Sequence, residues 1–248
     1  MSVKNDFIKK VKTKPKAVIF DTDNTLYPYI LSDEPATKAV EKKAEKLLNI
    51  SQSKFSEVFR EARKQIKQQL GDTASSHSRL LYLQRTIELL GFGTQIFLTL
   101  DLEQTYWRTF LSQSCLFPEV KEFLMDIKSD GVTTAIVTDL TAQIQFRKIV
   151  YFQLDSYFDY VVTSEEAGFD KPHDETYQIA IKKLGIEPEE IWMIGDNPVA
   201  DIAGANKFNM ITLQKLHTGV EYNPTGNTSP DLAFHDYSEL RKIWSILD

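Results

Sequence analysis

Cysteine is almost absent: Cys115 is the only one in 248 residues. That excludes an intramolecular disulfide, a thiolate zinc cluster and a thiol redox pair, and it suits a reducing compartment. The lone thiol is expected to be a small, partly buried apolar residue. Glycine (10) and proline (9) are too sparse for a collagen-like or low-complexity chain. No stretch approaches the ~18 consecutive apolar residues that a membrane span needs. Residues 1–16 carry Lys4, Lys9, Lys10, Lys12, Lys14 and Lys16 against Asp6, with no apolar core, so they read as a solvated lead-in rather than a secretory signal. Net charge is −6, which argues against a surface built to coat nucleic acid. Walker A, three-glycine dinucleotide, Gly-x-Ser-x-Gly and His-Glu-x-x-His signatures are missing. The expectation is a cytoplasmic protein, monomer or homodimer, with no nucleic-acid or membrane partner.

What is present is an ordinary globular composition, 42% hydrophobic and 26% charged. Ala17–Phe20 is a continuous apolar run that fits a strand buried on both faces. It ends in the polar stretch Asp21-Thr22-Asp23-Asn24-Thr25. Helical periodicity then predicts helices at Pro35–Leu48, Ser51–Leu70, Ser78–Leu90 and Leu100–Phe110. In the third, Leu80, Leu81, Leu83, Ile87 and Leu90 are expected on one face. From Pro118 the pattern alternates. Strands are expected at Val132–Val137, Tyr160–Val162, Ile191–Ile194, Met210–Leu213 and Leu232–Phe234. Helices are expected at Val120–Lys128, Ala142–Tyr151, Asp174–Leu184, Val199–Lys207 and Tyr237–Ile246. Alternation of this kind implies an α/β fold with a doubly wound parallel sheet.

The gap between the first two strands is too long for a simple crossover. Asp21 and Thr138 are 117 positions apart, whereas a βαβ unit needs about 30 residues. The excess predicts an inserted all-helical domain over 29–116, with residues 1–28 and 117–248 forming the core.

Ligands bind an open parallel sheet beyond the C-terminal ends of its strands. Those ends carry Asp21 and Asp23, then Thr138 and Asp139, then Lys171 past a loop, then Asp196, Asn197 and Asp201. Carboxylates at such density repel unless a divalent cation sits among them. Oxygen-only donors favour Mg²⁺ over zinc or copper. A cation held by Asp21 and Asp196, beside Lys171 and Thr138, makes a phosphate site. Asp21 is placed to attack phosphorus as a nucleophile and Asp23 to exchange a proton with the leaving oxygen and the water.

Val18-Ile19-Phe20-Asp21-Thr22-Asp23-Asn24-Thr25-Leu26 resembles the first motif of the haloacid dehalogenase superfamily. Ile136-Val137-Thr138-Asp139 is similar to the second, Gly168-Phe169-Asp170-Lys171-Pro172 to the third, and residues 194–205, from Ile194-Gly195-Asp196-Asn197 onward, to the fourth. The resemblance spans about 17–215. It implies a Rossmann-like core with a helical cap in the C1 position, after the first motif. It also implies roles. Asp21 is nucleophile and metal ligand. Asp23 is general acid/base and ligates the metal through its carbonyl. Thr138 and the Asp139 amide bind phosphate. Lys171 binds phosphate and steadies Asp21. Asp196 is a metal ligand, and Asp201 orients Lys171 or a metal-bound water. Dehalogenases of the superfamily lack the second aspartate, so Asp23 favours hydrolysis of a small phosphate monoester (a nucleotide, sugar phosphate or phospho-acid) through an aspartyl-phosphate. The competing expectations are a phosphomutase or phosphotransferase on the same core, a non-catalytic binding protein, and a dehalogenase.

In the insertion, Ser76 is expected to cap the third helix and His77 and Arg79 to be solvated, with a substrate-facing role as the alternative. Tyr27 and Tyr29 are expected to line a cleft or form a hinge. Trp107 and Phe110 are expected in the core of the insertion, His173 on a surface loop, and His217 and His235 in structural positions. Residues 222–230 read as a surface loop.

Overall fold

The chain forms a six-stranded, wholly parallel sheet in the order β3-β2-β1-β4-β5-β6. The strands are β1 (Ala17–Phe20), β2 (Thr133–Thr138), β3 (Tyr160–Thr163), β4 (Ile191–Gly195), β5 (Ile211–Lys215) and β6 (Leu232–Phe234). The computed structural model describes residues 7–220, 222 and 224–248. Two compact units divide the chain: Met1–Pro28 with Cys115–Asp248, and Tyr29–Ser114.

In the sheet unit every side chain of β1 is buried, as its unbroken apolar run predicts. Burial of a residue such as Ile19 or Phe20 contributes about 1.5–3 kcal/mol. Ala17 and Ile19 join Ala135, Val137, Tyr177, Met193 and Met210 in one core cluster. Phe20 takes part in a second, aromatic cluster, edge-on to Phe123, which meets Trp244 at 5.6 Å. The strand order reverses beside β1, and the C-terminal ends of β2, β1 and β4 are neighbours at that switch. Three chain segments distant in sequence therefore deliver their terminal residues to one place.

The crossover helices of this unit include α5 (Val120–Ser129), α6 (Ala142–Tyr151), α7 (Asp174–Leu184) and α8 (Tyr237–Trp244), numbered after the four helices of the other unit. Asp236 and Glu239 form a reciprocal capping box at the start of α8. Gly185, at φ +64°, ends α7 in the left-handed conformation that glycine adopts without strain.

The Tyr29–Ser114 unit is all helical: α1 (Ile30–Leu48), α2 (Gln52–Leu70), α3 (Arg79–Leu89) and α4 (Ile96–Gln113). Helix α1 packs chiefly on α4, and α2 on α3. Small residues at four-residue spacing, Ala36, Val40 and Ala44, form the buried stripe of α1. Leu102, Tyr106 and Phe110 do the same in α4, with Trp107 beside them. Ser51 caps α2 by accepting from the Lys54 amide at 3.3 Å.

The structure departs from the sequence pattern at several points. Residues 7–10 are helical rather than a loose lead-in, because Phe7 is buried edge-on against Trp192 at 5.7 Å. Lys4 and Asp6 lie outside the described residues, as does Asn223 in the 222–230 loop. Helix α1 starts five residues before Pro35, which stands inside it. Helix α4 starts four residues before Leu100 because its first turn exposes Ile96 and Phe97 and so shows no apolar stripe. Of the face expected for α3, Leu83 and Ile87 are buried, with Tyr82 and Thr86 beside them, whereas Leu80, Leu81 and Leu90 are half-buried. Strand β5 runs on through Gln214 and Lys215, both buried. Residues 198–203 form a π-helical turn before a short α-turn, Gly204–Asn206, in place of one regular helix. Cys115 is exposed, because it falls on the extended link after α4 rather than in the core. Among the described residues no helix is long and apolar enough to cross a membrane.

Candidate active site

The chain leaves β1 through a tight turn. The Asn24 amide donates to the Tyr27 carbonyl at 2.8 Å, and Asn24 itself has φ +62°, a left-handed conformation that Asn tolerates. The Asp21 amide donates to the Ile194 carbonyl at 2.9 Å, which ties the end of β1 to β4. This turn fixes Asp21 at the strand tip with its carboxylate buried and already bonded. Thr25 donates to Oδ2 at 3.1 Å, and the Lys171 ammonium donates to Oδ1 at 2.6 Å.

Lys171 also donates to Asp201 Oδ1 at 2.6 Å and to the Val137 carbonyl at 3.1 Å, so all three of its donors are used. It is 7% exposed, a position a lysine occupies only when paired. Burial disfavours its ammonium, but Asp201 and Asp21 outweigh that and hold its pKa well above the usual range. Its amide donates to Asp139 Oδ1 at 2.9 Å, and the Lys171–Pro172 peptide bond is cis.

Asp201 is 1% exposed and serves two partners: Lys171 on one oxygen and the Asn197 amide, at 2.9 Å, on the other. The π-turn is what brings it there, with Asn197 capping that turn through the Val199 and Ala200 amides. Tyr177 anchors the same turn by donating to the Ala200 carbonyl at 2.6 Å. Asp196 follows β4 directly, and Gln214 of β5 holds its backbone carbonyl at 2.8 Å.

Carboxylate oxygens of Asp21, Asp196 and Asp201 lie within 4.8 Å of one another. Lys171 pairs directly with two of these carboxylates, Asp21 and Asp201. Burial raises Asp21 to about 7, with Lys171 opposing and Asp201 adding to the rise. Burial, then Asp201 and Asp21, raise Asp196 to about 9. A cluster this costly to ionise, built from hard oxygen donors only, fits a divalent cation of the Mg²⁺ type.

Beside it lies a polar network at the tip of β2. The Thr22 and Thr138 hydroxyls are 2.7 Å apart. Gln145 of α6 donates to Thr138 Oγ1 at 3.0 Å and to the Asp139 carbonyl at 2.7 Å. Asp23 lies on the other side of the turn, a third of its side chain exposed, with the buried Lys148 ammonium 2.8 and 3.1 Å from its two oxygens. Tyr27 donates to the same carboxylate.

All eight residues named at the strand ends belong to the sheet unit: Asp21, Asp23, Thr138, Asp139, Lys171, Asp196, Asn197 and Asp201. Sequence reading missed Thr22, Gln145 and Lys148. Gln145 and Lys148 sit in the buried stripe of α6 with Ile144 and Ile149, and that polar pair inside an apolar stripe is the signal that marks them. Tyr27 is buried against Phe152, at 5.0 Å between rings, and bonded to Asp23.

Within the helical unit, Ser78 rather than Ser76 caps α3, accepting from the Leu81 amide at 3.3 Å; Ser76 is buried in the preceding turn. Arg79 is not solvated. Its guanidinium donates to the Tyr29 hydroxyl and, at 3.4 Å, to Asp33, which also accepts from Tyr106. The Tyr106 ring lies 5.1 Å from the Arg79 guanidinium carbon. Trp107 and Phe110 are buried in that unit's core, and His173 is an exposed loop residue stacked on Phe169.

The family model for haloacid dehalogenase-like hydrolases matches residues 15–209. The chain is 37% identical over 198 residues to a ribulose-1,5-bisphosphate 5-phosphatase of Halopiger xanaduensis, covering 79% of this chain and 83% of that protein. It is 30% identical over 200 residues to a glyceraldehyde 3-phosphate phosphatase of Methanopyrus kandleri, covering 80% and 83%. Among solved structures, a phosphatase of Thermococcus onnurineus aligns with a TM-score of 0.69 at 23% identity, over 93% of this chain and 98% of that one. A 2-haloacid dehalogenase of Pseudomonas syringae aligns at 0.70 and 21%, over 94% and 98%. Likenesses at that identity speak to the fold alone.

Proposed function

The chain belongs to the haloacid dehalogenase-like hydrolase family, and on that premise we propose that it is a phosphatase that cleaves small phosphorylated sugars through an aspartyl-phosphate on Asp21. The observation that carries this reading is the Lys171 ammonium held 2.6 Å from both Asp21 and Asp201. It orders the nucleophile and sets one buried ammonium inside the carboxylate cluster, where it offsets charge that would repel a phosphate dianion. The two phosphatase relatives, both named for phosphorylated sugars, support the substrate class.

Asp21 and Asp196, with the Asp23 carbonyl, would hold Mg²⁺. The ion supplies neutralisation of phosphate charge when bound. The chain's own residues do the rest. An Asp21 carboxylate oxygen forms a bond to phosphorus as the ester P–O bond breaks. The proton of the Asp23 carboxylic acid goes to the departing oxygen, which leaves as the alcohol. Water then attacks the same phosphorus, Asp23 takes its proton, and the Asp21–phosphorus bond breaks. Inorganic phosphate leaves, and both carboxyl groups return to their starting states. Thr138, backed by Thr22 and Gln145, and the Asp139 amide bind phosphate oxygens. Asp201 keeps Lys171 in place.

Phosphate release from a panel of sugar phosphates, sugar bisphosphates, nucleotides and phospho-acids, with Mg²⁺ and with chelator, tests this. The expected result is cation-dependent release, highest on the phosphorylated sugars and abolished in Asp21→Asn. Release that persists in that variant contradicts the mechanism. Release confined to nucleotides contradicts the substrate class.

A further inference from the structure

Lys148 is a second buried ammonium beside the site, and the roles assigned so far do not use it. Its side chain is 2% exposed and spans both oxygens of Asp23. The Tyr27 hydroxyl donates to one of those oxygens, and the Tyr27 backbone bridges to that of Asp23. Lys148 stands one helical turn from Gln145, which holds Thr138, so a single face of α6 serves both the phosphate-binding hydroxyl and the acid/base. Removing an ammonium from water is costly unless it is paired. Here the pairing is with one particular carboxylate, and it is made from behind, leaving a third of the Asp23 side chain open. Lys148 is too buried to meet a ligand itself.

We propose that Lys148 is a positioning residue that fixes the Asp23 carboxylate for the second half of the reaction, when it takes a proton from the water attacking phosphorus. The proposal rests on the aspartyl-phosphate reading above. An ammonium spanning both oxygens fixes the plane of the carboxylate, and the second half of the reaction needs that plane aimed at a free water, whereas in the first half the partner oxygen is already held on phosphorus. Lys148 therefore matters more for breakdown of the phosphoenzyme than for its formation. A lysine that only filled space would slow neither step selectively.

The experiment is rapid-mixing kinetics with p-nitrophenyl phosphate and Mg²⁺, whose leaving group departs without a proton. Wild type, Lys148→Met, Tyr27→Phe and Asp23→Asn are compared, with acid quench to count phosphorylated protein. For Lys148→Met the expected result is a burst of nitrophenolate equal to the enzyme present. A steady rate about 10–100-fold below wild type follows, less than the roughly 10²–10⁴-fold that an entire general base supplies, because Asp23 itself is kept, and phosphoenzyme accumulates. Tyr27→Phe shifts the same way by less, and it decides the question should Lys148→Met fail to fold. A rate loss with no accumulated phosphoenzyme, or a raised KM with unchanged kcat, overturns the proposal. If Asp23→Asn accumulates phosphoenzyme and Lys148→Met does not, this inference alone fails. If no variant and no wild-type sample is ever phosphorylated, the underlying mechanism fails instead.

Discussion

A β-carbon on Gly195 would overlap the Cβ, Cγ and Oδ2 atoms of Asp201. The last residue of β4 is thus a glycine because the Asp201 carboxylate occupies the space where its side chain would be. Gly195→Ala is expected to push Asp201 away from Lys171. Strain of this kind costs about 1–3 kcal/mol, read as a lower thermal midpoint, and kcat is expected to fall at least tenfold. A variant of unchanged activity would separate Asp201 from the nucleophile's support.

Lys171 balances two carboxylates that water scarcely reaches, Asp21 and Asp201. Removing one member of a buried ionic set leaves charge without compensation, at a cost of about 3–5 kcal/mol. Lys171→Met is expected to lose stability of that order in urea unfolding, and catalysis with it. Asp201→Asn, which keeps the shape and one acceptor, is expected to cost less.

The cation-free protein should become less stable as pH rises. Burial raises Asp21 to about 7 and Asp196 to about 9 from an ordinary 3.8. Between about pH 4 and pH 9 the folded chain therefore holds protons that the unfolded chain has shed, and stability falls with pH through that window. A divalent cation replaces those protons and offsets the loss. Melting temperatures across about pH 5–9 should decline in chelator and decline less in Mg²⁺. Parallel profiles would count against a cation among these carboxylates.

The strand-end acids were legible in sequence because each follows an apolar run that can only be a buried strand. The position of β1 between β2 and β4 then brings them together. The support around them was not legible. Gln145 and Lys148 stand in a helix where such residues ordinarily face solvent, and only the apolar neighbours Ile144 and Ile149 betray that this face is buried. Arg79 was misread for a similar reason. Of its partners, Tyr29 and Asp33 lie 50 and 46 positions before it and Tyr106 lies 27 after it. The start of α4 was missed because exposed Ile96 and Phe97 break the periodicity that marks a helix.

Arg79 is expected to hold the helical unit together. Burial works against its charge, yet Tyr29, Tyr106 and Asp33 keep its pKa above its ordinary value. Arg79→Met leaves Asp33 without its cation and removes the contact with the Tyr106 ring. The expected loss is about 3 kcal/mol, seen as earlier unfolding in denaturant. Asp33→Asn should lose part of that, and the double variant less than the sum, since both act on one pair.

The covalent intermediate is the claim on which the rest depends. Wild-type protein is mixed with p-nitrophenyl phosphate, whose leaving group needs no proton, and Mg²⁺, quenched in acid within the first turnover, digested and weighed by mass spectrometry. A phosphoryl group on the peptide carrying Asp21, absent from Asp21→Asn and increased in Asp23→Asn, is the predicted result. Inorganic phosphate released at full rate with no phosphorylated peptide at any time would contradict it.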